Sequence, residues 1–106
     1  MKHETKMMLV NALIKVVENA PKQDVTQGVI YNPNINKSMF NVTQNQFDAW
    51  IKYVFEVLKI VSQYVDIGQC LTEMQNIMEK KEMSNFTKTN NISQVLLSFA
   101  RKILYL

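Results

Sequence analysis

Apolar residues recur along four segments of the chain at steps of three and four positions, the spacing that places side chains on one face of an α-helix. The first segment runs from about Glu4 to Asn19. Pro21 follows it, and proline can neither continue the helical hydrogen-bond ladder nor leave the backbone before it free to be helical. We therefore predict a first helix that ends just before Pro21. Its apolar face consists of Leu9, Val10, Leu13, Val16 and Val17.

The clearest signal for a helix start is the sequence Thr43–Gln46. The Thr43 hydroxyl can accept a hydrogen bond from the Gln46 N–H, and the Gln46 side chain can accept one from the Thr43 N–H, which is a capping box. Val42 and Phe47 stand where the two members of a hydrophobic staple belong. The second helix is therefore predicted to begin at residue 43.

This second helix is apolar on most of its circumference. One stripe consists of Phe47, Ile51, Val54, Leu58, Val61 and Val65, and Trp50, Phe55, Val57, Ile60 and Tyr64 widen it. The polar positions are Asp48, Lys52, Glu56, Lys59 and Gln63. Because such a helix must be covered on several sides, we predict a long central helix over residues 43–65.

Two more helices follow a break at Asp66 and Gly68. A third helix is predicted from about Gln69 to Lys81, with Cys70 on its buried face. Residues 84–91 are polar and are predicted to form a linker. Asn91 then caps a last helix, whose apolar stripe consists of Ile92, Val95, Leu96, Phe99, Ile103 and Leu104.

The segment 21–42 has no helical period. One short apolar run ends at Tyr31, another is formed by Met39 and Phe40, and Pro33 lies between them. A small β-hairpin and an extended loop fit this pattern equally well. Connections of this length often carry function, and we expect this one to be at least partly packed.

The whole pattern predicts one all-α domain over residues 1–106. It is a small bundle of about four helices around a long central helix at about 43–65, with a hairpin or an ordered loop within 21–42. The chain has 106 residues, of which 47% are hydrophobic. Both values are typical of a single globular domain.

Charge and composition exclude several classes of protein. The formal net charge is +3, so the chain is not an acidic mimic of DNA. Eleven lysines accompany a single arginine, Arg101. Because arginine is the usual bidentate reader of guanine and phosphate, base-specific recognition of DNA is only weakly supported. A single cysteine excludes an internal disulfide and a zinc site built from several cysteines. Two glycines make a phosphate-binding loop improbable.

Candidate catalytic and metal-binding groups are few. His3 is the only histidine and has no partner at metal-ligand spacing. Cys70 falls on an apolar helix face, where a buried thiol is the better interpretation than a nucleophile. We therefore predict a protein that is not an enzyme, with no catalytic residue, no metal site and no cofactor.

Targeting signals are not evident in the chain. The apolar run from Met7 to Val17 is interrupted by Asn11 and Lys15 and is shorter than the ~20 residues that span a bilayer. The charges of Glu4 and Lys15 suit a secretory signal poorly. The expected location is the cytoplasm, with no membrane association.

The remaining function class is protein interaction. We expect a small regulator or inhibitor that binds a partner protein or a second copy of the chain. Its small size and its Asn- and Lys-rich composition favour an origin in a phage or another mobile element. The predicted contacts are Tyr31, Met39 and Phe40 of the middle segment, together with Trp50 and Tyr53 if these two are exposed.

The alternative is a small regulator that binds nucleic acid. If the last two helices lie side by side, their basic residues would share one edge and could contact phosphates. These residues are Lys80, Lys81, Lys88, Arg101 and Lys102.

Overall fold

Four α-helices make up most of the structure. The computed structural model describes residues 1–22 and 42–106. Within these ranges it contains no strand, and the predicted all-α bundle is confirmed. The predicted hairpin or loop lies outside the described residues except for its two ends. The helices are α1 (His3–Glu18), α2 (Gln44–Val61), α3 (Gly68–Met78) and α4 (Asn85–Leu104).

Within the described residues, α4 is the helix with the most neighbours in the bundle. α4 packs against each of the other three helices, and α2 packs against α1 and α4. The Lys6 ammonium group donates a hydrogen bond to the Leu106 carbonyl oxygen, so α1 begins where α4 ends. The Asn85 side-chain amide donates to the Val42 carbonyl oxygen at 3.2 Å, so α2 and α4 begin together. α1 therefore runs antiparallel to α4, and α2 runs in the same direction as α4.

The start of α2 is the capping box that the sequence predicts. The Thr43 N–H donates to Gln46 Oε1 at 2.9 Å, and the Gln46 N–H donates to Thr43 Oγ1 at 3.1 Å. The helix ends at Val61, four residues before the predicted end. The chain leaves α2 through a tight turn in which the Tyr64 N–H donates to the Val61 carbonyl oxygen. Within that turn Asp66 accepts a hydrogen bond from the Gly68 N–H at 2.8 Å, which leads into α3.

The start of α4 differs from the sequence prediction. Residues 85–91, predicted to be a linker, form the first two turns of the helix. Ser84 is the N-cap, and its hydroxyl accepts a hydrogen bond from the Thr87 N–H at 3.1 Å. Thr89 is buried, and its hydroxyl donates to the Asn85 carbonyl oxygen at 2.8 Å. Asn and Thr have low helix propensity, but here their polar groups are satisfied within the helix itself.

All four helices contribute to one hydrophobic core. The central layer consists of side chains that are 0–1% exposed, which identifies the positions where truncation would leave a cavity. The residues of the central layer are Leu9, Leu13, Val16, Val54, Leu58, Val61, Met74, Ile92, Leu96 and Ile103.

None of the helices in the described part of the chain is long and apolar enough to cross a membrane.

Candidate functional site

The outer surface of α2 and the turn after it carry large apolar side chains that the core does not use. Ile60 is 54% exposed, Tyr64 is 49% exposed and Phe55 is 39% exposed. The inner side of α2 is fully packed, with seven buried residues. The sequence pattern predicts that other helices cover α2 on several sides, and all three of these residues belong to its apolar circumference. Their exposure is therefore a feature that periodicity alone did not indicate.

Trp50 is a core residue and not a surface contact. Its side chain is only 4% exposed. The indole Nε1–H donates a hydrogen bond to the Val16 carbonyl oxygen at 3.0 Å. The prediction of Trp50 as a partner contact required it to be exposed, and the structure does not meet that condition.

Tyr53 lies at the margin of the core, where it is partly buried and packs against buried residues. Ile60 is seven residues further along, which is about two helical turns, so both side chains lie on the same side of α2. Tyr64 follows four residues later, just beyond the end of the helix. We refer to Tyr53, Ile60 and Tyr64 as the Ile60 surface. Of the predicted contacts, Tyr53 belongs to it, whereas Tyr31, Met39 and Phe40 lie outside the described residues.

The five predicted nucleic-acid contacts do not form one continuous edge. Lys80 and Lys81 lie before the start of α4, and Arg101 and Lys102 lie in its last turn. At 1.5 Å per residue the two pairs are separated by about 25 Å along the helix. Lys88 is partly buried, and its ammonium group donates to the Met78 carbonyl oxygen at 3.0 Å, which caps the end of α3. Its charge is therefore used within the fold.

A cleft of about 260 Å³ lies between the start of α3 and the end of α4. Cys70 is buried at this cleft, and the charged side chains of Asp66, Glu73 and Lys102 are exposed around it. The cleft could accept an apolar side chain, but it offers little chemistry, because a protonated thiol is not a nucleophile. Its apolar lining consists of Val65, Val95, Phe99, Ile103 and Leu106.

The Cys70 thiol is expected to be unreactive in the folded protein. Burial raises its pKa from the ordinary 9.0 to about 11; the Glu73 carboxylate adds to the increase and the Lys102 ammonium opposes it. At pH 8 about one thiol in a thousand is then ionised, compared with about one in ten for an ordinary thiol. We expect alkylation by iodoacetamide at pH 8 to be at least about 100-fold slower than in the urea-unfolded chain.

The same pKa shift predicts a pH dependence of stability. Because the folded-state pKa lies above the unfolded value, this stabilisation is complete below about pH 9 and is lost as the pH rises through about 11. Comparison with a Cys70→Ala variant separates the contribution of the thiol from that of other groups that titrate in this pH range. If both proteins lose stability equally between pH 9 and 11, or if the native thiol reacts as fast as the unfolded one, the assigned environment of Cys70 is wrong.

Metal-binding groups are not brought together in the part of the chain that the structure describes. Within residues 1–22 and 42–106, no group of three or more His, Cys, Asp or Glu side chains could hold a metal ion. His3 is the first residue of α1 and is exposed.

Comparisons with known proteins add no relative. Neither the protein-family models, nor the curated proteins, nor the solved structures contain a match to this chain.

Proposed function

We propose that the protein is a non-catalytic interaction module, a small regulator or inhibitor that acts by binding a partner protein. The observation that carries this proposal is the exposure of Ile60 and Tyr64, two large apolar side chains at one end of a helix whose inner side is already packed. Ile60 and Tyr64 are about one turn apart and so form a contiguous patch, and contiguous exposed apolar patches often mark interaction sites.

The Ile60 surface has the composition of a contact site. Ile60 contributes an aliphatic anchor, and the two tyrosines combine an apolar ring with a hydroxyl group that can find a hydrogen-bond partner. Tyrosine is enriched in the cores of protein interfaces, where charged residues are depleted. The expected partner therefore presents an apolar pocket with polar groups at its margin. Tyr31, Met39 and Phe40 remain predicted contacts, and Trp50 is withdrawn.

Cys70 is not proposed as a nucleophile. The only cysteine of the chain is buried, and its raised pKa keeps it protonated near neutral pH. The cytoplasm is the proposed location, because a free thiol remains reduced there. The small size and the Asn- and Lys-rich composition support the proposed origin in a phage or another mobile element.

A comparative binding experiment tests the Ile60 surface. Wild-type protein, an Ile60→Ser/Tyr64→Ser double variant and a Met8→Ser control are each immobilised and exposed to a host lysate, and the retained protein is quantified. We expect the double variant to bind the partner at least about tenfold more weakly than the wild type and to retain correspondingly less of it. A loss of about 1.4 kcal/mol of apolar contact is enough for a tenfold decrease in affinity. Met8 is a comparable control, because it is 48% exposed on α1.

All three proteins should keep the same far-UV circular dichroism spectrum, because the substituted residues lie on the surface. Two outcomes contradict the proposal. In one, the wild type retains no partner at all. In the other, the double variant retains it as well as the Met8→Ser control does.

A further inference from the structure

A second surface of α2 is centred on Phe55, which precedes Ile60 by five residues and therefore lies about 140° from it around the helix. It surrounds Phe55, whose ring is 39% exposed, and forms a shallow groove along the helix. We refer to it as the Phe55 face. The groove is lined by Asp48, Ile51, Lys52, Phe55, Glu56 and Lys59.

The Phe55 face has an apolar edge and a charged edge. Each residue of an α-helix is rotated by about 100° from the one before it. This rotation places the exposed Phe55 ring on one edge of the groove, next to Ile51, which is buried in the core. The other edge carries a row of charged side chains, Lys52, Glu56 and Lys59, and Asp48 begins this row beside Phe55, about two turns before it along the helix.

The charges along that edge alternate in sign, in the order negative, positive, negative, positive. The outer pair, Asp48 and Lys59, has its midpoint between Tyr53 and Val54. The inner pair, Lys52 and Glu56, has its midpoint at Val54. When the order of the four charges is reversed, every position therefore meets the opposite sign, so the edge is complementary to an antiparallel copy of itself.

We propose that the Phe55 face binds a second copy of the chain. The two α2 helices lie antiparallel around a twofold axis that crosses the Phe55 face between Lys52 and Phe55, at the height of residues 53–54 along the helix. Asp48 then faces Lys59 of the partner subunit, and Lys52 faces Glu56 of the partner subunit. By symmetry each of these contacts occurs twice, as in any isologous interface.

A parallel twofold pair is unfavourable, because an axis parallel to the helices places the apolar edge of one helix against the charged edge of the other. Its charged side chains would then face apolar side chains and gain no partner of opposite sign. In the antiparallel pair the rings of Phe55 and of the partner's Phe55 lie on the same side of the interface, and the charged edges lie together on the other side.

The expected dimer is weak. α2 has 18 residues, which corresponds to a length of about 27 Å, so one helix face against its copy belongs to the smallest class of specific interfaces. Its charge pairs lie near solvent and are screened by salt. We therefore expect a dissociation constant on the order of 100 µM that rises with ionic strength.

Sedimentation equilibrium at low salt tests the proposal with charge reversals. Asp48→Lys alone and Lys59→Asp alone should each weaken the dimer at least about tenfold, because each variant places two pairs of like charges in the interface. An equimolar mixture of the two variants should dimerise like the wild type, since Lys at position 48 of one chain then faces Asp at position 59 of the other. Glu79→Lys makes the same type of charge change at an exposed position after α3 and should have no effect.

The mixture separates a docking contact from a folding defect, because two misfolded variants would not restore each other. A wild type that is monomeric at millimolar concentration overturns the proposal. Single variants that dimerise as well as the wild type also overturn it, and that result is the one a parallel pair would produce. The inference is independent of the partner proposed above: Ile60→Ser/Tyr64→Ser should leave the dimer intact, and Asp48→Lys should leave partner retention intact.

Discussion

Replacing Trp50 by alanine is expected to lower the free energy of unfolding by about 3–5 kcal/mol, the range for removing a large aromatic side chain from a core. The indole is 4% exposed and belongs to the cluster of buried residues. Its loss leaves a cavity between α1 and α2 that the surrounding helices can fill only in part. Small domains are stabilised by about 5–15 kcal/mol in total, so the variant loses a large share of its stability.

Part of that effect comes from one hydrogen bond. The last carbonyl groups of a helix lack partners within the helix, and the Val16 carbonyl oxygen is one of them. The Ala20 N–H, which would be its helical partner, donates to the Val17 carbonyl oxygen instead. The Trp50 indole N–H donates to the Val16 carbonyl oxygen in place of the Ala20 N–H. This hydrogen bond connects the end of α1 to α2, although the two residues are 34 positions apart in the sequence.

A Trp50→Phe variant separates the two contributions. Phenylalanine keeps most of the buried apolar surface but leaves the Val16 carbonyl oxygen without a donor, which costs about 1–3 kcal/mol. Urea unfolding followed by circular dichroism measures both variants, with Ile60→Ala on the same helix as the exposed control. If Trp50→Ala is no more destabilising than Ile60→Ala, the indole is not a core residue.

The helices could be predicted from the sequence where local chemistry and periodicity agree. The capping box at Thr43 determines the start of α2 because its two hydrogen bonds join residues only three positions apart. The apolar stripe that begins at Phe47 then indicates the inner face of the helix. Both signals are local, and both are confirmed.

The role of Trp50 and the start of α4 could not be predicted, for different reasons. Periodicity identifies a face of α2 but does not indicate how far α1 and α4 extend around it, and this extent decides that Trp50 is covered while Ile60 is not. At the start of α4, low intrinsic propensity indicates a linker. Tertiary contacts outweigh propensity there, since the Asn85 side chain bonds to the Val42 carbonyl oxygen and the Lys88 ammonium group to the Met78 carbonyl oxygen.

The same limit applies to the candidate surfaces. The polar residues of α2 were evident from the sequence, and the spacing of Asp48 and Lys52 alone indicates a favourable pair within one helix. Only the structure shows that the Phe55 ring is exposed beside them. A charged stripe next to a covered ring would be an ordinary solvated surface, whereas the same stripe next to an exposed ring has an apolar edge to bury. The docking hypothesis therefore depends on a packing fact that no local pattern contains.

The position of α4 within the bundle leads to the second large expected effect. Leu96 lies near the middle of the only helix that packs against all three others among the described residues, and its side chain is 0% exposed. Leu96→Ala is expected to lower the free energy of unfolding by about 2–5 kcal/mol, because the truncated side chain leaves a cavity on a helix that several neighbours share.

Leu104→Ala is the matched control on the same helix. It makes the same chemical change with the same gain in helix propensity, but Leu104 is 44% exposed near the end of α4, so we expect a loss of at most about 1 kcal/mol. Urea unfolding followed by circular dichroism compares the two variants directly. Equal losses would mean that Leu96 is no more buried than Leu104, and α4 could then not be the helix on which the other three pack. The spacing of apolar residues places Leu96 and Leu104 on one stripe of α4 and does not distinguish them. A large difference between their losses of free energy of unfolding would show that tertiary packing makes the middle of this stripe more important for stability than its end.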